Sequence, residues 1–88
     1  MTVVSYETLM FKTPTCRSCK AMLPLAYAAR AKGESVTIID ASDEMSRGQV
    51  LQYGIHSVPT MVKLENGVEV DRHIGAMPMQ EFYDFIGE

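Results

Sequence analysis

The sequence predicts an α/β domain in the order β-α-β-α-β-β-α, with a four-stranded mixed sheet flanked by three helices. Three observations predict it. Apolar runs rich in strand formers alternate with stretches of helical spacing. Asn66-Gly67 separates two further strand patterns, the strongest short hairpin signal. The two cysteines of the chain, Cys16 and Cys19, fall where the first strand gives way to the first helix. A length of 88 residues and a hydrophobic fraction of 47% fit one domain, residues 1–88, with a core of its own.

Residues 6–11 (YETLMF) read as the first strand, and Lys12-Thr13-Pro14-Thr15 as the loop that stops it. From Cys16 to about Lys32 the pattern is helical. Met22, Leu25, Ala26 and Ala29 fall at i, i+3, i+4 and i+7, and Gly33 is the expected stop. Pro24 lies inside this helix and is expected to kink it, since it removes a hydrogen bond and crowds the preceding turn. Val36-Thr37-Ile38-Ile39 is β-branched and reads as a buried strand. A short helix is expected from about Glu44 to Tyr53, capped by Ser42 or Asp43 and ended by Gly54. Thr60–Glu65 and Val68–His73 are the hairpin strands. The last helix starts at Pro78 as its first residue and is expected to bury Met79, Phe82, Tyr83 and Ile86. The first β-α-β unit requires parallel strands and a right-handed crossover.

Charge narrows the function. A net charge of −3 argues against nucleic-acid binding. Thr8 to Gly33 contains no acid, while Lys12, Arg17, Lys20, Arg30 and Lys32 are basic, so the cysteines sit in an electropositive segment. The opening MTVVSYETLMFK has no basic n-region, long apolar stretch or small-residue cleavage site, and no run approaches a membrane span. The expectation is a cytoplasmic protein, where C-x-x-C is catalytic or metal-binding more often than structural.

At a helix start the two sulfurs share a face, with Cβ atoms about 5–6 Å apart, and a modest adjustment reaches disulfide geometry. Unpaired N–H groups and the helix dipole favour a thiolate there, and Arg17 and Lys20 add cationic field. Cys16, nearer the exposed end, is the expected nucleophile. It attacks a substrate disulfide, and the more buried Cys19 then attacks Cys16 and releases the reduced substrate. Two rivals remain at this point. The thiols could be inert core residues. They could also hold a metal, although zinc needs four ligands and the histidines, His56 and His73, lack the Cys2His2 spacing; an iron–sulfur centre shared between two chains is the remaining metal form. His56, three residues before Pro59, either touches the site or is a surface loop residue. Met61 and Met77 are read as bordering the site.

Several motifs in one order resemble the thioredoxin superfamily. Cys16-Arg17-Ser18-Cys19-Lys20 is followed by Pro24 at the spacing of the thioredoxin kink proline. Tyr53-Gly54-Ile55-His56-Ser57-Val58-Pro59-Thr60 resembles the YGI-x-x-(I/V)-P-T stretch, Glu65-Asn66-Gly67 the hairpin turn after it, and Ile74-Gly75-Ala76 the glycine stretch before the last helix. The likeness runs from about Glu7 to the C-terminus. It implies a thioredoxin-like fold, a Val58–Pro59 cis bond facing the disulfide, and a substrate surface of Val58, Pro59, Thr15, Arg17 and Gly75. It also implies reduction of protein disulfides, with ribonucleotide reductase one such recipient, electrons from a thioredoxin reductase or glutathione, no metal or cofactor, and a monomer.

The departures from the family are specific. A full thioredoxin has a strand and helix ahead of the stretch that opens here at YETLMF; the size is that of a glutaredoxin or of short phage and archaeal thioredoxins. Thr15 stands where thioredoxins carry Trp, and Arg17-Ser18 replaces Gly-Pro or Pro-Tyr. Met10 and Val36 align with the family's buried Asp and its Lys partner, so the Cys19 proton must leave by water or another group. Gly75-Ala76-Met77-Pro78 does not match the Gly-Gly-x-Asp stretch with which glutaredoxins bind glutathione. The donor expected is therefore the reductase. A thioredoxin-fold binding module with idle cysteines, or an oxidase or isomerase running the same chemistry backwards, are the functional rivals.

Overall fold

The computed structural model describes residues 4–87; residues 1–3 and 88 of the expected domain lie outside it. The strands are β1 (Tyr6–Lys12), β2 (Val36–Asp40), β3 (Thr60–Glu65) and β4 (Val68–Ile74). The helices are α1 (Arg17–Ala31), α2 (Arg47–Tyr53) and α3 (Met79–Phe85). Their order is the one predicted. The sheet runs β2-β1-β3-β4. β1 is parallel to β2 and antiparallel to β3, and β3 is antiparallel to β4.

β1 is central, and covered on both faces it must be apolar on both. Thr8, Leu9, Met10 and Phe11 are all buried. Alternation along the strands then splits the interior in two. Met10, Val36 and Met61 pack with Met22, Ala26 and Ala29 of α1 and with Phe82 and Ile86 at α3. Leu9, Phe11, Ile39, Val62 and Leu64 pack with Ile55 and with Val50 and Tyr53 of α2. Helices α1 and α3 therefore share one face, and α2 covers the other.

Local rules explain the ends. α1 continues through Pro24 as one 15-residue helix, and Gly33 takes the left-handed conformation (φ 93°) just past its C-cap. Gly54 is itself the C-cap of α2 and takes the left-handed conformation at φ 61°. Asn66 and Gly67 both have positive φ (52° and 83°), which a tight hairpin turn requires.

Three expectations need correction. The helix over 44–53 begins as a 3₁₀ turn, Glu44–Ser46, because the Asp43 carboxylate caps Met45 N–H at 3.0 Å and tightens the entry. Pro78 is the N-cap of α3 in extended conformation rather than its first residue. Met79, expected inside, is 56% exposed, and Met77 is buried in its place. The extended Pro78 turns the chain between them, so the helical spacing starts one residue later than the sequence suggests.

Candidate active site

Cys16 and Cys19 are joined in a disulfide, with Cα atoms 5.2 Å apart. Cys16 is not in the helix but caps it. Its backbone is extended (φ −85°, ψ 111°), and its Sγ accepts from the Cys19 N–H at 3.1 Å. One of the orphan donors of the helix start is thus aimed at the first sulfur. The Cys16 carbonyl accepts the first helical bond from Lys20 N–H, and the Cys16 N–H donates to Thr13 O. Cys19 sits one turn further in, on the stripe it shares with Met22, Ala26 and Ala29, and is 1% exposed. Cys16 is half-buried. No acid occupies the first turn, and no carboxylate of the described residues pairs with the exposed Arg17 or Lys20.

Topology brings the other expected residues to the same end of the sheet. Phe11 pairs with Thr60, and Thr60 with Ile74. The loop after β1, the residues before β3 and the residues after β4 therefore meet. Pro59 is fully buried, and the Val58–Pro59 bond is cis, as the resemblance implied. The Pro59 carbonyl accepts from Gly75 N–H at 2.8 Å, which ties the Gly75 turn (φ 100°) to this loop. Thr60 Oγ1 donates to Ser57 O at 2.7 Å and closes the loop on itself. Val58 is half-buried, and Thr15 and Arg17 are exposed beside the cysteines.

A cleft of about 220 Å³ opens next to the cysteine loop, lined by Thr13, Ala41, Val50, Ile55, His56, Ser57 and Val58. His56 is exposed on its rim. Met61 and Met77, read as bordering the site, are core residues rather than exposed ones. Both are buried with Met22, whose sulfur accepts from Met77 N–H at 3.4 Å. Met10 is fully buried as well, and the buried polar side chains are the neutral Thr8 and Thr60, so no carboxylate lies inside the described residues. At the edge of this end, hydrogen bonds from the Ser42 hydroxyl and N–H hold the Asp40 carboxyl below its usual range, with Lys12 assisting.

Sequence reasoning left Ser18 without a role. Its hydroxyl lies 3.7 Å from Cys16 Sγ. A readable signal existed, because side chains in a helix lean toward its N-terminus, so a hydroxyl two positions past the cap leans back over it.

The Thioredoxin family model matches residues 5–88. The chain is 30% identical to a thioredoxin of Haemophilus influenzae over 91% of its own length and 76% of that protein's. It is 33% identical to a thioredoxin of Chlamydia trachomatis over 68% of its length and 59% of that protein's. It thus spans between three fifths and about three quarters of these relatives. Its fold matches a thioredoxin variant from Halobacterium salinarum with a TM-score of 0.81 at 23% identity, covering 92% of this chain and 71% of that one. A thioredoxin of Malassezia sympodialis gives 0.77 at 24% identity over the same shares. The chain belongs to the thioredoxin family, and its disulfide-bonded Cys16–Cys19 pair is of the kind a thiol–disulfide oxidoreductase carries.

Proposed function

We propose that this chain reduces protein disulfides through Cys16 and Cys19, as one cytoplasmic domain acting as a monomer. The observation that carries the reading is the asymmetry of the pair: a half-buried sulfur at a helix cap, facing a backbone N–H at 3.1 Å, bonded to a sulfur that is 1% exposed. Cys16 thiolate attacks one sulfur of the substrate disulfide and expels the other as a thiolate. Cys19 loses its proton and attacks Cys16, and the second substrate sulfur leaves as a thiolate that takes up a proton. The pair ends as the disulfide, and a donor returns the two electrons. Val58, Pro59, Thr15, Arg17 and Gly75 are the surface against which the substrate backbone would lie.

The relatives' names favour a thioredoxin reductase-type donor over glutathione. The first test is an equilibrium one. The protein is poised in a series of glutathione buffers, free thiols are alkylated, and alkylated sulfurs are counted by mass. A reversible two-electron transition near the cytosolic poise is expected. Thiols that never pair would leave the fold as a binding scaffold, and a midpoint near those of the strong oxidants of this chemistry would reverse the direction of transfer.

A further inference from the structure

We infer that Ser18 is a positioning residue for the nucleophile: its hydroxyl donates to the Cys16 thiolate and sets how much of that thiolate exists at neutral pH. The inference rests on the reading of Cys16 as the attacking sulfur. In the disulfide the Ser18 Oγ is 3.7 Å from Cys16 Sγ, within reach of a hydrogen bond to sulfur, and the Cys19 N–H approaches the same sulfur at 3.1 Å. Ser18 is the second residue of α1, so its side chain leans back over the cap, and it is exposed, so no packing opposes its rotation. No other side chain of the described residues hydrogen-bonds either its hydroxyl or Cys16 Sγ.

On reduction Cys16 Sγ gains a full charge. The Cys16 proton passes to water, the Ser18 hydroxyl keeps its own and turns it toward the sulfur. Donation to an ionised acceptor is the strong form of the bond. It favours the thiolate over the thiol, and therefore the dithiol form over the disulfide, in which the sulfur is neutral. Arg17 and Lys20 act on the same charge through space, but salt screens exposed charges and leaves a short hydrogen bond largely untouched.

The test is thiolate absorbance against pH in a Cys19→Ser background, where Cys16 alone titrates. Adding Ser18→Ala should cut the thiolate population below the pKa roughly threefold to tenfold. Ser18→Thr, which keeps a hydroxyl there, should restore it. The gap should be the same at low and high salt, which a purely Coulombic effect would not produce. In the intact pair, two glutathione thiols are oxidised to one glutathione disulfide as Cys16–Cys19 takes up two electrons and two protons. Ser18→Ala should shift that equilibrium toward the protein disulfide. Superimposed titrations of the Ser18→Ala and parent proteins would overturn the inference, as would equal shifts in the alanine and threonine variants. A protein that reduces no disulfide yet shows the shift would fail the functional reading and leave this one standing.

Discussion

Cys16 and Cys19 are chemically identical, so the division of work proposed for them rests on their environments alone. Cys16 is half-buried and faces a backbone donor; Cys19 is sealed among α1 side chains. In Cys19→Ser the first attack proceeds and the second cannot, so a mixed disulfide should accumulate through Cys16 and be visible by mass under non-reducing conditions. Cys16→Ser should trap little, since the remaining thiol is out of reach of substrate. Trapping through Cys19 instead would reverse the roles. Spacing in the sequence was enough to find both cysteines, their order of burial and the helix start. It could not show that Cys16 caps rather than joins the helix, because that depends on one backbone torsion (ψ 111°) that no residue type at this position dictates. The backward lean of helical side chains points the Ser18 hydroxyl toward the cap, but its 3.7 Å distance from Cys16 Sγ depends on a rotamer that only the folded structure fixes.

Elements were legible where a local rule fixes them. Asn66-Gly67 fixes the hairpin through its positive φ values, and Gly33 and Gly54 fix two helix ends. They were less legible where a tertiary contact decides. Arg72 is such a case. It crosses from β4 to donate to the Tyr53 carbonyl at the end of α2, and it pairs with Glu69 at 2.8 Å. The bond to Arg72 holds the Glu69 carboxyl below its ordinary 4.5 and raises Arg72 in turn. A depressed carboxyl stabilises the fold fully above its ordinary value and loses that contribution as pH falls through the lowered one. Arg72→Leu should therefore cost about 1 kcal/mol near neutrality, since the ion pair is largely solvated and the carbonyl loses one partner. The gap from the parent should narrow as pH falls below the ordinary 4.5 and through the lowered value at which Glu69 protonates. Urea melts at several pH values read this directly. A gap that stays constant into acid would assign the whole effect to the Tyr53 carbonyl.

Across the whole molecule, the two cores on opposite faces of the sheet stand at unequal distances along the fold from the cysteine pair, since only one includes the α1 stripe that carries Cys19. Cys19 lies on the same stripe of α1 as Met22, and Met22 in turn receives the Met77 N–H just after the Gly75 turn that is tied to Pro59. Leu64 belongs to the other core, near the hairpin end of β3. An 88-residue fold has roughly 4–13 kcal/mol of stability to lose. Met22→Ala and Leu64→Ala should each remove about 2–5 kcal/mol by leaving a cavity. Their redox consequences should differ. A change in reduction potential equals the difference between a variant's destabilisation of the oxidised and of the reduced protein. Leu64→Ala should weaken both forms alike and leave the glutathione equilibrium where it was. Met22→Ala opens space one turn below Cys19, where the buried thiol and the disulfide make different demands. It should destabilise the two forms unequally and move the equilibrium constant several-fold, about 30 mV for each tenfold. Urea unfolding of both redox forms, set beside the glutathione titration, closes the cycle. Equal losses in the two forms of Met22→Ala, with an unmoved potential, would mean that the methionine core supports the dithiol only as scaffold.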